Sequence, residues 1–85
     1  MKRQNQKTPT KILVVEDEAI VAFDIQTQLA QLGYEVLATL STGEEAIAHV
    51  QEAAPDLILL DIMLAGELSG IETAAQIRGR FPTRR

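Results

Sequence analysis

Glu16, Asp17 and Asp61 are the residues of this 85-residue chain best suited to chemistry. Each follows an apolar run: Ile12 to Val15 leads into Glu16-Asp17-Glu18, and Leu57 to Leu60 leads into Asp61. Continuous runs rich in Val, Ile and Leu are the pattern of strands buried on both faces, as in parallel sheets flanked by helices. Parallel strands joined by right-handed crossovers bring their carboxyl ends to one edge, where open α/β sheets bind ligands. Three carboxylates at that edge suit a hard divalent cation such as Mg²⁺, which takes oxygen ligands and pairs with phosphoryl groups.

The segments between the runs must supply the crossovers. After a first strand at Lys11 to Val15, Asp17 or Glu18 is placed to cap a helix whose apolar face is Ala22, Ile25, Leu29 and Leu32. Gly33 suits the left-handed position that ends such a helix. Tyr34 to Leu40 reads as a second strand, at a sheet edge because Tyr34, Glu35 and Thr39 interrupt its apolarity. Thr42 with Glu45 is a capping-box spacing, opening a helix with Ala46, Ile47, Val50 and Ala54 on one face and an end at Pro55. Leu57 to Leu60 is the third strand. Gly66 and Gly70 frame the loop that follows, and a last helix runs from Ile71 to about Phe81 before Pro82. The expectation is an α/β fold, an open parallel sheet of three strands in the order two, one, three with three helices. Residues 1–10 read as a disordered lead-in, 11–81 as the folded unit and 82–85 as a basic tail.

Composition narrows the chemistry. With no cysteine there is no thiol nucleophile, thiolate metal site or disulfide, so a metal must bind oxygen or the single His49. All twelve acidic residues lie between Glu16 and Glu72, whereas all eight basic ones lie at or before Lys11 or from Arg78 onward. An acidic body disfavours nucleic acid and concentrates cations. No stretch approaches the roughly 18 to 20 apolar residues of a membrane span, and the polar start lacks the apolar core of a secretory signal. A cytoplasmic protein that binds neither nucleic acid nor membrane is expected.

Each singled-out residue also has an ordinary structural role open to it. Acidic residues after a strand are often only helix caps, which applies to Glu16-Asp17 taken alone, and Glu18 suits the first turn of a helix dipole. His49, between Ala48 and Val50, reads as a surface histidine and Asp56 as a turn residue. Gly66 to Gly70 lacks the Gly-Lys-Ser/Thr of a phosphate loop.

Several motifs in order resemble the receiver domain of two-component response regulators. They are Lys-Ile-Leu-Val-Val-Glu-Asp-Glu at 11 to 18, Tyr-Glu-Val at 34 to 36, Gly-Glu-Glu-Ala at 43 to 46, Pro-Asp-Leu-Ile-Leu-Leu-Asp-Ile-Met-Leu at 55 to 64 and Gly-Ile-Glu-Thr-Ala-Ala-Gln-Ile-Arg at 70 to 78. The resemblance implies a flavodoxin-like sheet, a Mg²⁺ site and an aspartate phosphorylated by a partner histidine kinase or phosphotransfer protein. On these positions Asp61 is implied as the phosphoacceptor, Asp17 as a direct metal ligand, Glu16 as the second acidic position and Met63 as a ligand through its backbone carbonyl. Such a protein is a phosphoacceptor module and not a metabolic enzyme.

Departures from the family pattern set the alternatives. An intact receiver has five βα units, with a Ser or Thr ending strand four and a Lys ending strand five. Three units are legible here, no lysine follows Lys11, and the hydroxyl residues beyond Asp61 are Ser69, Thr73 and Thr83. Ala65 replaces a common proline, and Gly70 falls one position later than in many members. A truncated or degenerate receiver that only binds partners is therefore the alternative reading. An aspartyl-phosphate hydrolase ranks last, because the second acid such enzymes place two residues after the nucleophile is Met63 here. Truncation would also leave the third strand as an open apolar edge, an invitation to self-association.

Overall fold

A computed structural model describes residues 9–64 and 66–80. Its elements run β1 (Lys11–Val15), α1 (Ala19–Gln31), β2 (Glu35–Leu40), α2 (Gly43–Glu52), β3 (Leu57–Leu60) and α3 (Gly70–Arg80). The strands form one parallel sheet in the order β2-β1-β3, as the sequence leads one to expect. The expected lead-in falls largely, and the basic tail wholly, outside the described residues.

The central strand is the core. Ile12, Leu13, Val14 and Val15 are all buried, which a parallel strand achieves only when both sheet faces are covered. Leu13 and Val15 point to one face, where they cluster with Ala46 of α2 and with Ala38, Leu40, Ile58 and Leu60 of the flanking strands. Ile12 and Val14 alternate to the other face. One residue of β2 is extra: Ile12 pairs with Val36 but Leu13 pairs with Ala38, so a bulge at Leu37 restores the alternation.

Several boundaries differ from the sequence expectation. Neither Asp17 nor Glu18 caps α1 through its side chain; Glu18 holds the cap position without such a bond, and Glu16 accepts from the Glu18 N–H at 3.1 Å. Leu32 is not on a buried face but lies past the last helical residue and is 72% exposed, because the chain turns there through Gly33 toward β2. Tyr34 precedes β2, its N–H closing the helix on Leu29 O at 3.0 Å. The second helix ends at Glu52, so Ala54 is exposed outside it. Its start follows the expected capping box, with Glu45 N donating to Thr42 Oγ1 at 3.1 Å and Thr42 N to Glu45 Oε1 at 3.2 Å. Gly33 has φ +95°, the left-handed region that glycine enters without a Cβ penalty. His49 is half-buried, with its Nδ1 enclosed, so the surface reading of that residue is corrected.

Candidate metal and phosphoacceptor site

Strand order creates the site. The chain passes from β1 out to β2 and then returns across β1 to β3, so the direction of winding reverses between β1 and β3. Glu16 and Asp17 leave the carboxyl end of β1 and Asp61 leaves that of β3, facing each other across this junction. Glu16 N donates to Leu40 O at 2.8 Å and Asp61 N to Val15 O at 3.0 Å, so both main chains extend the sheet's hydrogen bonding into the site.

One carboxylate oxygen from each of Glu16, Asp17 and Asp61 lies within 4.8 Å of the others. Glu16 and Asp61 are partly buried and Asp17 is exposed. No lysine or arginine occurs between Lys11, at the opposite end of β1, and Arg78. The Glu16 carboxyl is held above the usual carboxylate range. The Glu18 N–H, the largest single influence, acts to lower it; burial, the Asp61 charge and the hydrogen bond and charge of Asp17 together outweigh that. Met63 N donates to Asp61 Oδ1 at 3.2 Å, turning the loop back toward the strand end. Beside this cluster a cleft of about 500 Å³ opens between α1 and the end of β2, lined by Glu16, Asp17, Phe23, Gln26, Ser41 and Glu45.

The donor set fits magnesium on its chemistry: three hard oxygen ligands of net charge −3, with one face open to water, which Mg²⁺ retains in its shell. Proton and cation compete for the same oxygens, and burial together with the neighbouring Asp61 and Asp17 charges favours the protonated Glu16 carboxyl.

The family model described as the response regulator receiver domain matches residues 12–84. This chain belongs to that family. It is 47% identical over 68 residues to the alkaline phosphatase synthesis transcriptional regulatory protein PhoP of Bacillus subtilis, a match covering 80% of the chain and 28% of that protein. Among solved structures it resembles the response regulator protein TrrA of Thermotoga maritima in complex with Mg²⁺-BeF. The TM-score is 0.78 at 38% identity, covering 84% of this chain and 60% of that one. TrrA in complex with the histidine kinase ThkA gives the same TM-score and identity over 85% and 60% of the two chains. The chain spans about a third of the length of the curated relatives it matches, from 28% to 35%. Receiver domains are phosphoacceptor modules, and the three-stranded order and flanking helices of this chain match theirs. Among the described residues no helix is long and apolar enough to cross a membrane.

The carboxylates drawn together here are the three singled out in the sequence. Missed there was how firmly the loop after Asp61 is fastened to α2 and α3. Glu67 N reaches Glu44 Oε2 at 3.4 Å, and Ser69 and Glu72 exchange bonds at 2.9 and 3.1 Å. The Ser-x-x-Glu spacing from 69 to 72 was a readable signal of that second capping box.

Proposed function

We propose that this chain accepts a phosphoryl group on Asp61 from a phosphohistidine of a partner histidine kinase or phosphotransfer protein, in the cytoplasm. Glu16, Asp17, Asp61 and the Met63 backbone carbonyl would hold Mg²⁺. The supporting observation is the approach of three carboxylate oxygens to within 4.8 Å at the point where the sheet's winding reverses. An Asp61 oxygen attacks phosphorus, an O–P bond forms, and the P–N bond to the partner's imidazole breaks, returning its electron pair to the ring. The nucleophile must lie in line, and its main chain is tied to β1 through Val15 O while Met63 N steadies one carboxylate oxygen. When bound, the metal neutralises charge on the phosphoryl oxygens. Residues 11–81 form the receiver portion in this reading, with 1–10 and 82–85 as flanking segments.

A passive interaction module is favoured by one observation. The Thr73 hydroxyl is buried and donates to Ser69 O at 2.8 Å, so it is not free to contact phosphoryl oxygens. Beryllofluoride with Mg²⁺ separates the readings: binding that disappears in Asp61→Asn supports the phosphoacceptor, and no binding to the unaltered chain supports the passive module.

Among the described residues β3 has a strand neighbour on one side, β1, and the occupant we assign to its other side is a second copy of the chain. Leu57 and Leu59 are 49% and 36% exposed, and the strand carries no charge or proline to discourage pairing.

A further inference from the structure

We infer that Gly70 is a positioning residue for the Asp61 carboxylate, an inference that rests on the reading of Asp61 as the acceptor beside a metal. Asp61 is gripped from two sides. On one, its N–H continues the ladder to Val15 O at 3.0 Å. On the other, the α-carbon of Gly70 lies against its main chain: a Cβ at position 70 would overlap the Asp61 carbonyl oxygen and lie 2.7 Å from both the Asp61 carbonyl carbon and Ile62 Cα. Gly70 is buried, and its N–H donates to Ile62 O at 2.8 Å. Glycine is required here for space, since its φ is not positive.

Relief by recoil of α3 is blocked. Ser69 N donates to Glu72 Oε1 at 2.9 Å and Glu72 N to Ser69 Oγ at 3.1 Å, fixing the first turn. Thr73, fully buried, donates its N–H and hydroxyl to Ser69 O at 2.9 and 2.8 Å. Behind it stands α2, where a Cβ at Gly43 would overlap Thr73 Oγ1. The first turn of α3 is thus wedged between α2 and the Asp61–Ile62 main chain. A methyl group at position 70 must displace that main chain, and with it the carboxylate and the Met63 N–H that bonds it. Magnesium demands near-ideal octahedral geometry, so a ligand shifted by a fraction of an ångström is poorly tolerated.

The test compares three variants of the full chain, titrated with MgCl₂ and followed by amide NMR shifts under conditions where circular dichroism shows each folded. Gly70→Ala is expected to weaken Mg²⁺ binding about tenfold to a hundredfold. Gly43→Ala presses on the same turn from the α2 side, through Thr73 and Leu68 and not on Asp61 directly, so it should lower stability and weaken Mg²⁺ binding by less than Gly70→Ala does. Gly79→Ala, with nothing near its added methyl, should change neither stability nor affinity for the worse. Unchanged affinity in a folded Gly70→Ala overturns the inference while leaving the metal site standing, whereas an unaltered chain that binds no Mg²⁺ removes both. Should Gly70→Ala not fold, the unaltered chain decides. The Gly70 amide should shift along the same Mg²⁺ isotherm as Asp61 while that of Gly43 stays still, and a stationary Gly70 amide overturns the inference.

Discussion

Replacing Asp61 by asparagine should stabilise the metal-free protein and abolish its stabilisation by magnesium, so that the sign of the effect reverses with the cation. The carboxylate oxygens of Glu16, Asp17 and Asp61 lie within 4.8 Å of one another. Two unit charges at that separation repel by about 0.9 kcal/mol in bulk-water dielectric and by about 3.5 kcal/mol at an effective dielectric of about 20. Asp17 is exposed and the other two only partly buried, so the lower figure is nearer. Asp61→Asn would remove two such repulsions, a gain of about 1–2 kcal/mol, while the new amide oxygen still accepts from Met63 N. The Glu16 carboxyl, no longer facing that charge, should fall back toward the ordinary carboxylate range, which a pH titration of its side-chain carbon would register. A raised carboxyl binds its proton more tightly in the fold than in the unfolded chain. Its contribution to stability is therefore greatest in acid and declines as pH rises through the raised value, and the same substitution should flatten that decline. With Mg²⁺ at a hundred times its dissociation constant, the unaltered chain should gain about 2.7 kcal/mol and Asp61→Asn almost nothing. Urea unfolding followed by far-ultraviolet circular dichroism, in EDTA and in excess MgCl₂, measures all of this. Equal loss of stability in Asp61→Asn under both conditions would refute the reasoning, since it would mean that Asp61 is a structural partner and not one of three mutually repelling ligands.

Thr42→Ala should cost about 1 kcal/mol by removing the acceptor for Glu45 N. Glu45 is held below the usual carboxylate range, first by the Ser41 N–H and then by Thr42 against opposing desolvation. Its contribution is present above that range and lost as pH falls through the lowered value, and Glu45→Gln should erase that part of the acid limb of a stability profile. Gly33→Ala has room for its methyl but inherits φ +95°, so chemical denaturation should reveal a loss of about 1–2 kcal/mol. Leu57→Lys, at a position 49% exposed on the open edge, should change monomer stability by no more than about 0.5 kcal/mol and suppress any concentration-dependent association seen by sedimentation velocity.

Much of this protein is determined by local sequence. Four consecutive buried residues in β1, the capping box at Thr42 and Glu45, and the left-handed turn at Gly33 each follow from a pattern of a few residues, because backbone geometry and capping are local physics. The acidic residues of the site were legible for a related reason: strands that must be apolar throughout leave their first polar residues at their ends. Periodicity was a poorer guide to the extent of burial. Leu32 and Ala54 fit a helical face, yet lie beyond the last turns, since burial depends on what the fold packs alongside and not on the helix's own repeat.

Tertiary structure alone decided the distances. Residues 16 and 61 are brought to a common metal's reach because β1 and β3 pair in one register, Val15 beside Leu60, which no local pattern encodes. It also decided what the glycines are for. Gly33 and Gly70 are identical in the sequence, but the first serves a backbone angle and the second a gap against Asp61 that exists only once α2, α3 and β3 are packed. Dihedral preference belongs to a residue and its neighbours, whereas excluded volume belongs to whatever the fold brings alongside.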